Sequence, residues 1–194
     1  MEIGATKAVQ DRLKTTKIEE SKGTSLVFCW DTHLTKIKGR NVLFIVNASN
    51  RYTITMTDIE PRNWNYYTMY ISRVIHGVMQ EMGYSENQIG QYFKMSGDTT
   101  VTKTHGRKSV GGINRMVMDA QYFGKKLEKE AKYQWELSEY LNRDICQPEG
   151  FDAYGYPSEL FKLDMERLGI AAKRKPAKVI DFVQYIENNR GTNN

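Results

Sequence analysis

The sequence predicts an α+β fold: an antiparallel β-meander of three strands, joined by an N-terminal strand and a strand over residues 99–105, packed against helices and followed by a helical C-terminal extension. Three observations carry this reading. Residues 25–57 hold three runs of alternating or β-branched residues divided by the short turns KGRN and ASNR, residues 58–96 switch to a spacing of three to four, and residues 126–170 combine helical spacing with dense charge. A spacing of two marks strands and one near 3.6 marks helices, because those are the repeats at which side chains return to one face.

Each element follows from its local pattern. Residues 2–5 read as a short strand and residues 6–14 as a helix whose apolar side is Ala8, Val9 and Leu13. A polar loop leads to Ser25, after which Leu26, Phe28, Trp30 and Leu34 fall on one face and Val27, Cys29, Asp31, His33 and Thr35 on the other. The apolar run NVLFIVN is too short for a helix and reads as a central strand. In RYTITMT, Tyr52, Ile54 and Met56 alternate with Thr53, Thr55 and Thr57; short turns between successive strands make the three antiparallel.

Pro61 then opens one long amphipathic helix through Trp64, Tyr67, Ile71, Val74, Val78 and Met82 to Gly83. Ser85 and Gln88 have the spacing of a capping box, so a second helix starts there and ends near Gly97. Threonine-rich residues 99–105 form a strand. Beyond Gly106 a helical pattern runs through Val110, Ile113, Val117, Ala120, Leu127 and Ala131 towards Leu141. PEGFDAYGYP is a loop, residues 158–168 a short helix and residues 179–186 a final helical turn or two. The division expected is an α+β core over 1–125, an acidic helical extension over 126–170 and a basic tail over 171–194 with a short helix.

Composition narrows the function. With 40% hydrophobic and 26% charged residues and no apolar run long enough for a membrane span, the chain reads as a soluble cytoplasmic protein with no membrane partner. The start, MEIGATKAVQ, lacks the pattern of a signal peptide. Cys29 and Cys146 form no CxxC pair, and no carboxylate cluster has metal spacing, so neither metal nor cofactor is expected. The net charge of +5 is unevenly spread. Residues 94–126 hold seven cationic against two acidic residues, residues 133–170 eight acidic against three cationic, and the tail is basic again through Lys173, Arg174, Lys175 and Lys178. Such blocks suit either an anionic partner or charge-complementary contacts between subunits, as in a homodimer.

The richest stretch is TVTKTHGRKSVGG, residues 100–112. A strand, a glycine-containing loop with Arg107, Lys108 and Ser109, and a helix opening on small residues present N–H groups and a helix dipole to an anion, with Thr104 and Ser109 as hydroxyl donors. It is no Walker loop, since Thr102 and Arg107 stand where that motif needs glycine. His33 and Thr35 form one half of a two-histidine phosphoesterase pattern, but Gly106 follows His105 and the second half is missing. His105 with Lys103 and Arg107 has the residue types of a metal-independent ribonuclease or phosphodiesterase, a general base beside cations. Tyr66 and Tyr70 lie off the apolar stripe of their helix, where bases could stack on them.

GATKxxQDRL at the N-terminus, Cys29 with Trp30, NASNRY from Asn47 and TKTHGRKSVGGINRM from Thr102 together resemble a family of small bacterial and phage proteins known only as a domain of unknown function, over roughly residues 1–120. That resemblance implies an α+β domain and directs attention to Asn47, Asn50, Arg51, Thr102, Lys103, Thr104, Arg107 and Ser109. The acidic extension departs from the short core of the family.

The resulting expectation is a non-enzymatic binding module. Its basic site takes a phosphate-bearing partner, RNA or a ribonucleoprotein ahead of a nucleotide, through Asn47, Asn50, Arg51, Thr102, Lys103, Thr104, Arg107, Lys108 and Ser109. A mobile-element or phage accessory, or a host-defence antagonist of the anti-CRISPR kind, fits such a module. The alternatives are the ribonuclease centred on His105 and a structural homo-oligomer.

Overall fold

The computed structural model describes residues 1–15 and 18–172; the basic tail from Lys173, with the helical turns expected at 179–186, lies outside the described residues. The class is α+β, and a five-stranded sheet organises it in the order β4-β3-β2-β1-β5. Its strands are β1 (Glu2–Ala5), β2 (Cys29–Ile37), β3 (Arg40–Asn47), β4 (Thr53–Thr57) and β5 (Thr100–Thr102). β2, β3 and β4 form the expected antiparallel meander. The two remaining strands join in parallel: β1 runs beside both β2 and β5, so the sheet is mixed. Parallel pairing follows from connectivity. α1 (Lys7–Leu13) carries the chain from the end of β1 back to the start of β2, as a parallel neighbour requires.

The pleat distributes the side chains. Leu43, Ile45, Ile54, Met56, Trp30 and Ile3 enter one core, closed by α1, α3 (Tyr67–Glu81), α4 (Glu86–Ser96) and α7 (Pro157–Arg167). Val42, Phe44, Val46 and Ile37 enter a second core on the opposite face, under α5 (Arg107–Tyr122) and α6 (Trp135–Asn142). Because β3 is apolar at successive positions, both of its faces are covered.

The long helix expected after Pro61 is interrupted. α2 (Pro61–Asn65) ends at Tyr66, whose φ of −117° and ψ of 43° are not helical, and α3 begins one residue later. The break lets Trp64 stack on Tyr67, with ring centroids 5.5 Å apart. The capping box at α4 is present, Ser85 Oγ accepting from Gln88 N–H while the Gln88 side chain accepts from Ser85 N–H. The helix expected to run from Gly106 to Leu141 is two, α5 and α6, separated by irregular chain. Phe123 leaves the helix to bury its ring in the second core, and Gly124, a poor helix former, follows it.

α6 does more than cover apolar surface. β4 is an edge strand, and its outward polar groups are met by α6 and the segment before it. Thr53 N–H donates to Asn142 Oδ1 at 2.8 Å and Asn142 Nδ2 to Thr53 O at 2.7 Å. Thr55 N–H donates to Ser138 Oγ at 3.0 Å, Gln134 N–H to Thr55 O at 2.9 Å, and Thr57 N–H to Lys132 O at 2.7 Å. A strand edge left open invites another chain; this one is occupied by side chains of α6 and by the backbone at Lys132 and Gln134.

Candidate functional site

Register and pleat assemble a polar cluster on the α5 side of the sheet. Ile3 and Trp30 point into the first core, so Glu2, Gly4, Cys29 and Asp31 point the other way. Parallel pairing sets Glu2 beside Cys29 and Gly4 beside Asp31. The turn between β5 and α5 then lays His105 over these residues.

His105 is held at every polar atom of its ring. Nδ1 lies 2.7 Å from Asp31 Oδ1 and Nε2 3.0 Å from Glu2 Oε2, and the ring is 2% exposed although its backbone reaches the surface. Asp31, wholly buried, also accepts from the His105 backbone N–H at 3.2 Å and from the Ser109 hydroxyl. Burial by itself pushes His105 towards neutrality, but hydrogen bonds and charge from Asp31 and Cys29 outweigh it and raise its pKa to about 10. Burial likewise opposes ionisation of Glu2, yet hydrogen bonds from Thr24, Ser21, His105 and the Lys22 N–H bring its pKa down to about 2. At neutral pH this is a carboxylate–imidazolium–carboxylate sandwich. Gly4 makes room for it: a Cβ there would stand 1.8 Å from Asp31 Oδ1.

The sandwich decides what the residues singled out in the sequence can do. The position at the start of α5 expected to receive an external anion receives Asp31 instead, which takes the His105 N–H and the Ser109 hydroxyl. His105, protonated and with both nitrogens engaged, has no lone pair for a general base. Asn47, Asn50 and Thr102 are buried and bonded internally. Asn47 Nδ2 donates to Val27 O and its Oδ1 accepts from the Ser49 and Asn50 N–H groups, Asn50 Nδ2 donates to Asp164, and Thr102 Oγ1 donates to Lys103 O. Lys103 pairs with Glu20 on the surface. Thr104 is half-buried, with its Cα against Gly4.

What the fold leaves facing solvent is a set of cations. Arg107 and Lys108, the first two residues of α5, are exposed, and neither makes an ion pair among the described residues. Gly106 precedes them at a φ of 95°, a conformation that favours glycine, and provides no side-chain cap. Arg51 brings the 47–51 loop to the same helix: a Cβ on Gly112 would stand 2.7 Å from its Nε, and Arg51, Lys108, Ser109 and Glu149 line one small cleft.

Glu2, Cys29 and Asp31 were not anticipated as site residues, whereas His105 and Ser109 were. The only local sign was a carboxylate, Asp31, within an otherwise apolar and hydroxyl-bearing strand. Glu2, Cys29 and His105 each offer one donor atom, all within 4.8 Å of one another, a set of the kind that holds a metal ion. No helix among the described residues is long and apolar enough to cross a membrane.

A family model described as "Domain of unknown function (DUF6933)" matches residues 2–160. The match reaches past the 120 residues over which the resemblance was expected and takes in α6 and the start of α7. No curated protein and no solved structure matches the chain.

Proposed function

Since the chain belongs to this family, whose description assigns no activity, its role has to come from its own residues, and we propose that it is a non-enzymatic module that binds a phosphate-bearing polymer, RNA foremost. The observation that carries the reading is an electrostatic misfit. Arg107 and Lys108 occupy the first turn of a 16-residue helix that has no acidic residue there, at the end where the dipole is positive. Each cation so placed costs about 0.3–1 kcal/mol, which a bound anion relieves. Arg51 widens the basic surface from the neighbouring loop. Phosphate contacts made by Arg107 and Lys108 are direct and solvent-facing, because Asp31 occupies the inner position.

The nuclease reading has less support, for His105 is sealed and fully engaged. Fluorescence anisotropy with single-stranded RNA and DNA oligonucleotides at low salt tests the binding reading. The wild-type protein binds, and Arg107→Ala with Lys108→Ala weakens binding and makes the log-log salt dependence shallower by about 1.4, the value for two lost single-strand phosphate contacts. Absence of binding to either polymer at low salt overturns it.

A further inference from the structure

We propose that Glu2, Cys29 and His105 form a binding site for a divalent transition-metal ion, with zinc as the fitting occupant. The three donors come from three separate stretches of chain, β1, β2 and the β5–α5 turn, and lie together on the buried face of the sheet. Thiolate, imidazole and carboxylate in one set suit zinc, while hard oxygen-seeking ions avoid the thiolate.

The surroundings fit a metal site in three further ways. Asp31 accepts from His105 Nδ1 at 2.7 Å, which leaves Nε2 as the metal-facing nitrogen and reproduces the carboxylate–histidine–metal relay that orients such ligands. Glu2 is itself oriented, by the Lys22 N–H at 3.0 Å and the Thr24 hydroxyl. Cys29 Sγ donates to Thr24 O and Ser25 O, 3.5 Å from each, and also reaches His105, so the thiol and the imidazole already face one another. Donors around a tetrahedral zinc stand about 3.3–3.7 Å apart, given bond lengths of about 2.0–2.3 Å. Gathering the present set within 4.8 Å onto one ion takes side-chain shifts of an ångström or less.

The exchange balances. One divalent cation enters and the Nε2 and Sγ protons leave, so the two positive charges gained equal the two released and the net charge of the site is unchanged. A small molecule or water completes the fourth position. The site is independent of RNA binding, since its donors lie beneath the turn that carries Arg107 and Lys108.

Chelator-stripped protein titrated with cobalt(II) under anaerobic conditions tests this. One equivalent should produce a sulfur-to-cobalt charge-transfer band and tetrahedral d–d bands, both displaced by zinc. Cys29→Ser abolishes the charge-transfer band and Cys146→Ser leaves it intact. Should Cys29→Ser fail to fold, X-ray absorption of zinc-loaded wild-type protein and of Cys146→Ser decides instead, with one sulfur neighbour at about 2.3 Å expected in both. No cobalt spectrum and no zinc uptake, or a zinc shell without sulfur, overturns the proposal.

Discussion

Replacing Asp31 with Asn keeps the shape of the side chain and removes its charge, so it isolates what the carboxylate does. In the folded protein that carboxylate is buried and serves the His105 ring at 2.7 Å, the His105 N–H at 3.2 Å and the Ser109 hydroxyl. Removing one partner of a buried ion pair costs about 3–5 kcal/mol. Asn retains an oxygen that accepts one of the three donors, and the imidazole is free to lose a proton, which sets the expected loss at the lower end, about 3 kcal/mol. In a chain of this size each kcal/mol moves the melting temperature by roughly 2–4 °C, so a fall of about 6–12 °C follows. The pH dependence has a definite sign. The pKa of His105 is raised in the folded state to about 10 from an ordinary value of 6.5. Its contribution is therefore fully present below about pH 6.5 and lost as pH rises through about 10. The deficit of Asp31→Asn is thus largest near pH 6 and shrinks towards pH 10. Urea unfolding followed by tryptophan fluorescence, with EDTA present, measures it. A deficit under about 1 kcal/mol at pH 6, or one that widens as pH rises, refutes the sandwich as the source of stability.

Other changes probe the same construction from different sides. Gly4→Ala drives a Cβ into Asp31 Oδ1 and to within 3.0 Å of Thr104 Cα, so about 2–3 kcal/mol of stability is lost in thermal denaturation; an unchanged melting temperature would show that the sheet yields there. Asn142→Ala strips both the donor and the acceptor from Thr53, and about 2–4 kcal/mol is lost with faster amide exchange at Thr53, whereas slow exchange in the variant contradicts the edge-capping role. Reversing Arg107 and Lys108 to Glu places acidic residues at the positive end of α5, raising stability by about 1 kcal/mol or more while abolishing RNA binding; stability and binding falling together would disprove the electrostatic misfit.

What was legible in the sequence was whatever depends on neighbours in the chain. The meander, the capping box at Ser85 and Gln88 and the start of α5 after Gly106 all rest on spacing of two to four residues or on one turn. The breaks were harder. Tyr66 interrupts a helix whose periodicity runs straight through it, with Trp64 stacked on Tyr67 across the break, and Phe123 ends another to reach the second core, a tertiary contact that overrides a continuous periodicity. Parallel pairing of β1 with β5 joins residues nearly a hundred positions apart and leaves no periodic trace. The same holds for the site. His105 and Ser109 stood out in a dense local motif, but Asp31 and Glu2, which define their chemistry, approach from 74 and 103 residues away.

The side chains of α6 along β4 set two molecular rulers against each other. Gln134, the residue just before α6, and Ser138 and Asn142 within it recur every four residues, an advance of about 6.0 Å at the helical rise, while the outward groups of Thr53, Thr55 and Thr57 recur every two strand residues, about 6.8 Å. The two scales slip by about 0.8 Å per step, so after two steps they are out of phase by about half the length of a hydrogen bond. That is where the helix stops and the bend at Lys132 takes over the pairing with Thr57. A helix standing in for a strand is incommensurate with it, and the mismatch limits how long such an edge can be: lengthening β4 would call for a real strand beside it, not more helix.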